Sequence, residues 1–200
     1  MSIEARTEKK ALEIKLSDSL DENIGIIKAL FKDVDPIRYR RFEAGSGGLA
    51  LCFVYHDGLV NSEIIDNFIL RPLMTLPTGF ESDPLSYLMS RVVQVNSVKR
   101  TDSLDDIIQG ISYGDSLLLA EGCSEMLLMD TKHFTTRGIS EPEGEKILSG
   151  PREGFGESIL QNLSLVRRKL RTNDLKMKFQ SQGRRSNTSL CVVYMESLVR

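Results

Sequence analysis

Residues 103–130 read Ser103-Leu-Asp-Asp-Ile-Ile-Gln-Gly-Ile-Ser-Tyr-Gly114-Asp-Ser-Leu-Leu-Leu-Ala120-Glu-Gly-Cys-Ser-Glu-Met126-Leu-Leu-Met-Asp130. Ser103 followed three residues later by Asp106 marks a helix start, because a short oxygen-bearing side chain can accept a free amide of the first turn. Leu104, Ile107, Ile108 and Ile111 then fall on one helical stripe, and Gly114 closes the helix. Two short apolar runs follow, Ser116–Ala120 and Met126–Thr131, separated by Glu121-Gly122-Cys123-Ser124. They read as a hairpin of strands. A helix feeding directly into buried strands sets the class: mixed α/β.

Outward from this stretch the same alternation continues. On the N-terminal side, Ser19 and Glu22 fit a capping box, and Leu20, Ile24, Ile27, Phe31 and Val34 form a stripe. Pro36 pushes the chain into extended geometry. Strands are predicted over Ile37–Ala44 and Leu49–His56, with Gly45–Gly48 as the turn and Asp57-Gly58 as the stop. Ser62–Leu70 reads as a helix with Ile64, Ile65, Phe68 and Ile69 on one face, stopped by Pro72. A further helix begins at Pro84, with Leu85, Leu88, Met89 and Val92 inward. Val95–Arg100 is a weaker strand. On the C-terminal side, Glu157–Leu170 is a helix with the seam Ile159, Leu163, Val166 and Leu170. Leu175, Met177 and Phe179 alternate as a strand, and Leu190–Met195 reads as a buried one. No internal repeat is present.

These elements divide into two small mixed α/β subdomains. Residues 1–16 are a polar tail, 17–131 the first subdomain, 132–156 a linker rich in charge, Gly and Pro, and 157–200 the second. The last strand lies so near Arg200 that a longer parent protein is expected.

Composition narrows the chemistry. The chain has 200 residues and a net charge of −2. Its basic residues are concentrated late: Glu157–Arg200 holds nine Lys/Arg against three Asp/Glu, and the remainder seventeen against twenty-five. A solvated helix face explains this excess more simply than an anionic partner. Aromatic residues are not interleaved with it, so the stacking platform of a single-strand nucleic-acid binder is missing. No apolar run reaches the ~18–20 residues of a membrane span. Met1–Lys10 lacks an apolar signal core, which predicts a cytosolic start.

Cys52, Cys123 and Cys191 are far apart in sequence, which fits buried thiols better than disulfides or zinc. His56 and His133 have no second ligand at helical spacing. No phosphate loop, dinucleotide fingerprint or nucleophile elbow occurs. Cys123 with His133, or Ser124, could be cast as a nucleophile, but spacing alone gives no geometry. Asp105-Asp106 serves the helix dipole. Glu141, Glu143 and Glu145 lack the pattern of a calcium loop. No catalytic residue, metal ligand or cofactor is therefore expected.

The polar residue with the most structured surroundings is Arg152, in Gly150-Pro151-Arg152-Glu153-Gly154-Phe155. Pro151 stiffens the backbone, while Gly154 and Gly156 let it turn before the helix at Glu157. That helix start exposes amide donors suited to a carboxylate. Arg152 either pairs with a nearby acid and fixes the loop, or grips a neighbouring subunit or small anion.

This hexapeptide, together with Asp115–Asp130 and Ser189-Leu-Cys-Val-Val-Tyr-Met-Glu196, resembles the A subunits of bacterial spore germinant receptors, the GerA-type family. The turn Gly183–Thr188 is similar but less distinctive. The likeness runs from about Ile24 to Leu198. It implies a soluble N-terminal region, built as two α/β subdomains resembling halves of solute-binding proteins, ahead of a membrane-spanning bundle. It implies the spore inner membrane, B and C subunits as partners, a homo-oligomer of A subunits forming an ion pore, and no enzymatic activity. It implies a response to nutrients such as amino acids or sugars.

Two roles follow. One is assembly and signal transmission, with Arg152, Glu153, Arg167 and Arg168 as intersubunit or interdomain contacts and Gly150, Pro151, Gly154 and Phe155 as the structural motif. The other is direct nutrient binding between the subdomains.

Overall fold

The computed structural model describes residues 15–45, 48–76, 83–133 and 154–199. Helix α1 (Leu20–Leu30) leads to strands β1 (Ile37–Ala44) and β2 (Leu49–His56). Helix α2 is three contiguous pieces, Ser62–Ile64, Ile65–Leu70 and Arg71–Met74, and α3 is two, Pro84–Tyr87 and Leu88–Val92. Then come β3 (Val98–Thr101), α4 (Leu104–Tyr113), β4 (Asp115–Ala120) and β5 (Met126–Asp130). Helix α5 (Ile159–Lys169) and strands β6 (Leu175–Gln182) and β7 (Thr188–Met195) complete the described chain.

Five strands form one sheet in the order β1-β2-β4-β5-β3. Every pairing in it is antiparallel. The central strand β4 carries Leu117, Leu118 and Leu119, all buried, because both of its faces are covered. One face packs α1 and α4 through Leu20, Ile27, Leu104, Ile107 and Ile111. The other packs α2 and α3 through Ile65, Ile69, Leu73, Leu85 and Leu88. Each such fully buried aliphatic side chain contributes about 1.5–3 kcal/mol of transfer free energy.

The caps form as the sequence predicts. Ser19 Oγ accepts from Glu22 N, Ser103 Oγ accepts from Asp106 N at 3.3 Å, and Gly114 adopts φ 102°. The N-terminus of α1 is also tied to the β4–β5 turn, where Leu20 N donates to Glu121 Oε2 at 3.0 Å.

Three expectations are corrected. Pro72 does not stop α2, which continues to Met74. Proline cannot donate to the carbonyl four residues back. That carbonyl, Phe68 O, instead accepts from Gln94 N at 3.0 Å, so the break costs no unpaired group. Phe68 and Met89, expected inward, are 45% and 37% exposed. Both lie in π-helical stretches, Ile65–Leu70 and Leu88–Val92. Wider π turns shift the helical phase, so a 3.6-residue reading misplaces side chains there. Finally, Leu190–Met195 is not buried: Leu190, Val192 and Val193 are 45%, 49% and 37% exposed. β7 pairs only with β6, and among the described residues no third strand joins it.

Candidate functional site

The two sheets meet where the chain turns between α1 and β1. Asp33 takes φ 59°, which turns the backbone and leaves Val34 beside β6. Met177 N donates to Asp33 O at 3.0 Å, and Asp35 N donates to Met177 O at 2.9 Å. Phe179 N donates to Asp35 Oδ2 at 2.6 Å, and Lys178 Nζ lies 3.1 Å from Asp33 Oδ1. Residues 33–35 thus act as a short extra strand against the β6–β7 hairpin. The pairing ends there, because Phe179 N is taken by the Asp35 side chain and Ile37 N donates instead to Val34 O at 3.1 Å.

Helix α5 closes the second side of the junction. Its approach is anchored by Asn162, whose side chain accepts from Gly156 N at 2.7 Å and donates to Gly156 O at 2.8 Å. Gly58, at φ 85°, would place a Cβ 3.3 Å from Leu160 O, so a side chain in the turn after β2 would crowd α5.

Arg167 sits at the centre of this packing and is 0% exposed. Its Nη1 donates to Thr172 O at 2.6 Å and its Nη2 to Leu175 O at 2.9 Å. Its Nε has no partner. No carboxylate offsets the charge among the described residues, and burial lowers its pKa to about 10. His56, ending β2, is 1% exposed. Its Nδ1–H donates to Asp57 O at 2.8 Å, which leaves Nε2 unprotonated and without a partner. Burial first, and the Arg167 charge second, push the His56 pKa down to about 3.

A cleft of about 490 Å³ opens where Arg171 of the second part meets the first, lined by Asp106, Gln109, Tyr113, Asp115, Leu128 and Lys132 among others. The Arg171 guanidinium stacks 3.5 Å from the Tyr113 ring centre. Lys132 pairs with Asp115 and Asp130. Burial disfavours the Lys132 charge, yet its hydrogen bonds to those two carboxylates outweigh this and raise its pKa. Burial raises the Asp115 carboxyl, against the pull of Lys132.

The sequence-derived candidates are placed unevenly. Gly150, Pro151, Arg152 and Glu153 lie outside the described residues, as does most of the expected linker. Phe155 is 70% exposed, and a Cβ on Gly154 would meet nothing within 4 Å. Arg167 faces inward to the junction, and Arg168 is half-buried beside it, its carbonyl accepting from Arg171 Nε at 3.0 Å. Cys123 shows no activation: burial raises its thiol pKa, the reverse of what a nucleophile needs. Among the described residues no group of three His, Cys, Asp or Glu could hold a metal, and no helix is long and apolar enough to cross a membrane. Sequence reasoning missed His56, Tyr113 and Arg171. The available signal was weak: a histidine ending an apolar strand just before Asp-Gly, where a polar group must be accommodated.

The Bacillus subtilis (strain 168) protein named Uncharacterized membrane protein YfkQ is 32% identical over 185 residues, covering 92% of this chain and 35% of that protein. Spore germination protein KA of the same organism is 25% identical over 192 residues, 96% of this chain and 35% of its own length. Spore germination protein GerQA of Bacillus cereus is 34% identical over 150 residues, 70% of this chain and 30% of its own. The chain thus spans about a third of the length of these curated relatives. The fold is similar to the crystal structure of the N-terminal domain of the A subunit of the Bacillus megaterium spore germinant receptor GerK3. The TM-score is 0.66 at 24% identity, over 94% of this chain and 68% of that one. A family model described as Bacillus/Clostridium GerA spore germination protein matches residues 25–200, and the chain belongs to that family.

Proposed function

We infer that this chain is the N-terminal region of a spore germinant receptor A subunit, serving receptor assembly and signal transmission in nutrient-triggered germination. Its setting would be the spore inner membrane, through a membrane-embedded remainder of the protein. Its partners would be B and C subunits and further copies of the A subunit around an ion pore. The single observation that carries the reading is the junction. Residues 33–35 share backbone hydrogen bonds with β6, and Arg167 is sealed between the two parts. Backbone pairing transmits displacement from one part to the other, as a loose surface contact does not.

The four polar residues keep their roles in this reading. Arg167 and Arg168 hold the junction, while Arg152 and Glu153 contact a neighbouring subunit. The motif Gly150, Pro151, Gly154 and Phe155 shapes the approach. The test exchanges the ion pair across the junction in the full-length protein. Asp33→Lys or Lys178→Glu alone should slow nutrient-triggered germination at unchanged receptor level, and the double exchange should restore it. Single variants that germinate at the parental rate would refute the relay. Arg152→Ala with normal receptor level and normal germination would remove Arg152 from the interface.

A second reading has one observation in its favour. The cleft between the parts brings an aromatic ring, two cations and two carboxylates together around about 490 Å³, a size common for small-molecule sites. Direct binding of an amino acid or sugar there predicts heat on calorimetric titration of the chain. Silence at millimolar nutrient rejects it.

A further inference from the structure

A second groove lies on the far side of the five-stranded sheet, between α2 and α3, with a volume of about 510 Å³. Its base has a small apolar area, where Leu76 and Val92, 8% and 4% exposed, sit beside Pro72 and Tyr87. Arg71 and Arg91 line it from opposite helices. Neither has a carboxylate within ion-pair distance among the described residues, whereas Arg38, Arg41 and Arg100 of the same part each pair with an aspartate.

The walls are unusual in a second, independent way. Asn67 lies in the π-helical stretch Ile65–Leu70, and Arg91 and Val92 lie in the π-helical stretch Leu88–Val92. Such turns are rare and cluster at functional sites, since their poorer backbone geometry is retained where it aims side chains. Here the two stretches face each other across one groove. The Gln94 amide bonded to Phe68 O at 3.0 Å holds the walls at fixed spacing.

We propose that this groove binds a small organic acid, its apolar body lying on Leu76 and Val92 and its carboxylate between Arg71 and Arg91. Two guanidinium forks facing one site match the two oxygens of a carboxylate, and the charge-assisted bonds are among the stronger ones proteins make. The apolar area at the base separates this ligand class from inorganic anions, which gain nothing from it. The site is distinct from the junction and does not depend on the role inferred for it.

The test uses the purified 200-residue chain and three probes: phenylacetate, its neutral counterpart phenylacetamide, and inorganic phosphate. Phenylacetate should bind saturably and shift the methyl resonances of Leu76 and Val92, while phenylacetamide binds about tenfold more weakly or worse, having lost the ionic hydrogen bonds. Arg71→Gln and Arg91→Gln, both at exposed positions, should each weaken phenylacetate by about tenfold or more, and Arg38→Gln should leave it unchanged. Phosphate binding as tightly as phenylacetate would overturn the assignment of the apolar area. Absence of saturable binding at 10 mM (a probe concentration on the order expected for weak ligands), or equal losses in the Arg38→Gln control, would overturn the site. The methyl shifts in the unaltered protein decide independently of how any variant folds.

Discussion

Lowering the pH from 7 to 5 should destabilise this protein through one buried side chain, His56. Its ordinary pKa of 6.5 falls to about 3 in the fold, because burial strips water from the imidazolium and Arg167 repels it. The unfolded chain therefore binds a proton between pH 6.5 and 3 that the folded chain refuses. Stability is complete above pH 6.5 and is lost progressively as pH falls toward 3. Taking those two values, the loss between pH 7 and pH 5 is about 2 kcal/mol. With a urea dependence of about 2 kcal/mol per molar, the unfolding midpoint should fall by roughly 1 M.

The assay is urea unfolding by circular dichroism at the two pH values, repeated on His56→Gln. The variant has its own baseline stability, but its midpoint should move far less with pH. Asp83 does not interfere: its pKa falls from 3.8 to about 2 in the fold through its bonds to Ser86 and Arg100, so its contribution is lost only below pH 3.8, outside the window. Arg167→Met should only trim the pH dependence, since burial is the larger cause. Equal midpoint shifts in the parent and in His56→Gln would refute the reasoning.

Other perturbations of the junction have defined signs. Arg167→Ala should cost about 2–5 kcal/mol in urea unfolding, from a cavity and two orphaned carbonyls, Thr172 O and Leu175 O. Arg167→Met should cost less than Arg167→Ala: both remove the buried charge and orphan the same two carbonyls, but the methionine stem still fills the space. Gly58→Ala should lower stability by about 1–2 kcal/mol, since a left-handed backbone at φ 85° disfavours a Cβ and Leu160 O crowds it; the same change at Gly122, which meets nothing, isolates the backbone part. Met177→Ala, at a 0% exposed position, should cost about 2–5 kcal/mol and speed amide exchange at Asp35, whose amide donates to Met177 O.

Local signals placed most elements. β1 and β2 run over the predicted residues, because Pro36, Gly45 and Asp57-Gly58 punctuate them with residues of narrow backbone preference. α4 begins after its predicted Ser103 cap and ends at its predicted Gly114. Errors concentrated where periodicity misleads. Phe68 and Met89 were misplaced by π turns, and β7 was misread as interior because Leu-Cys-Val-Val-Tyr-Met carries the composition of a core strand. Composition records affinity for apolar surroundings, and not whether a neighbour is there to supply them.

The amino-acid sequence by itself determined the mixed α/β class, the caps and turns, most of the core positions, and a resemblance that the family match bears out. Each of these depends on residues within about one turn or strand of each other, or on a motif that can be read in line. Only the tertiary structure decided that every strand in the main sheet runs antiparallel, that residues 33–35 pair with β6, and that His56 and Arg167 share a dry junction. The last two join groups more than a hundred residues apart. Strand direction and burial come from the balance of packing over the whole chain, so no local spacing encodes them.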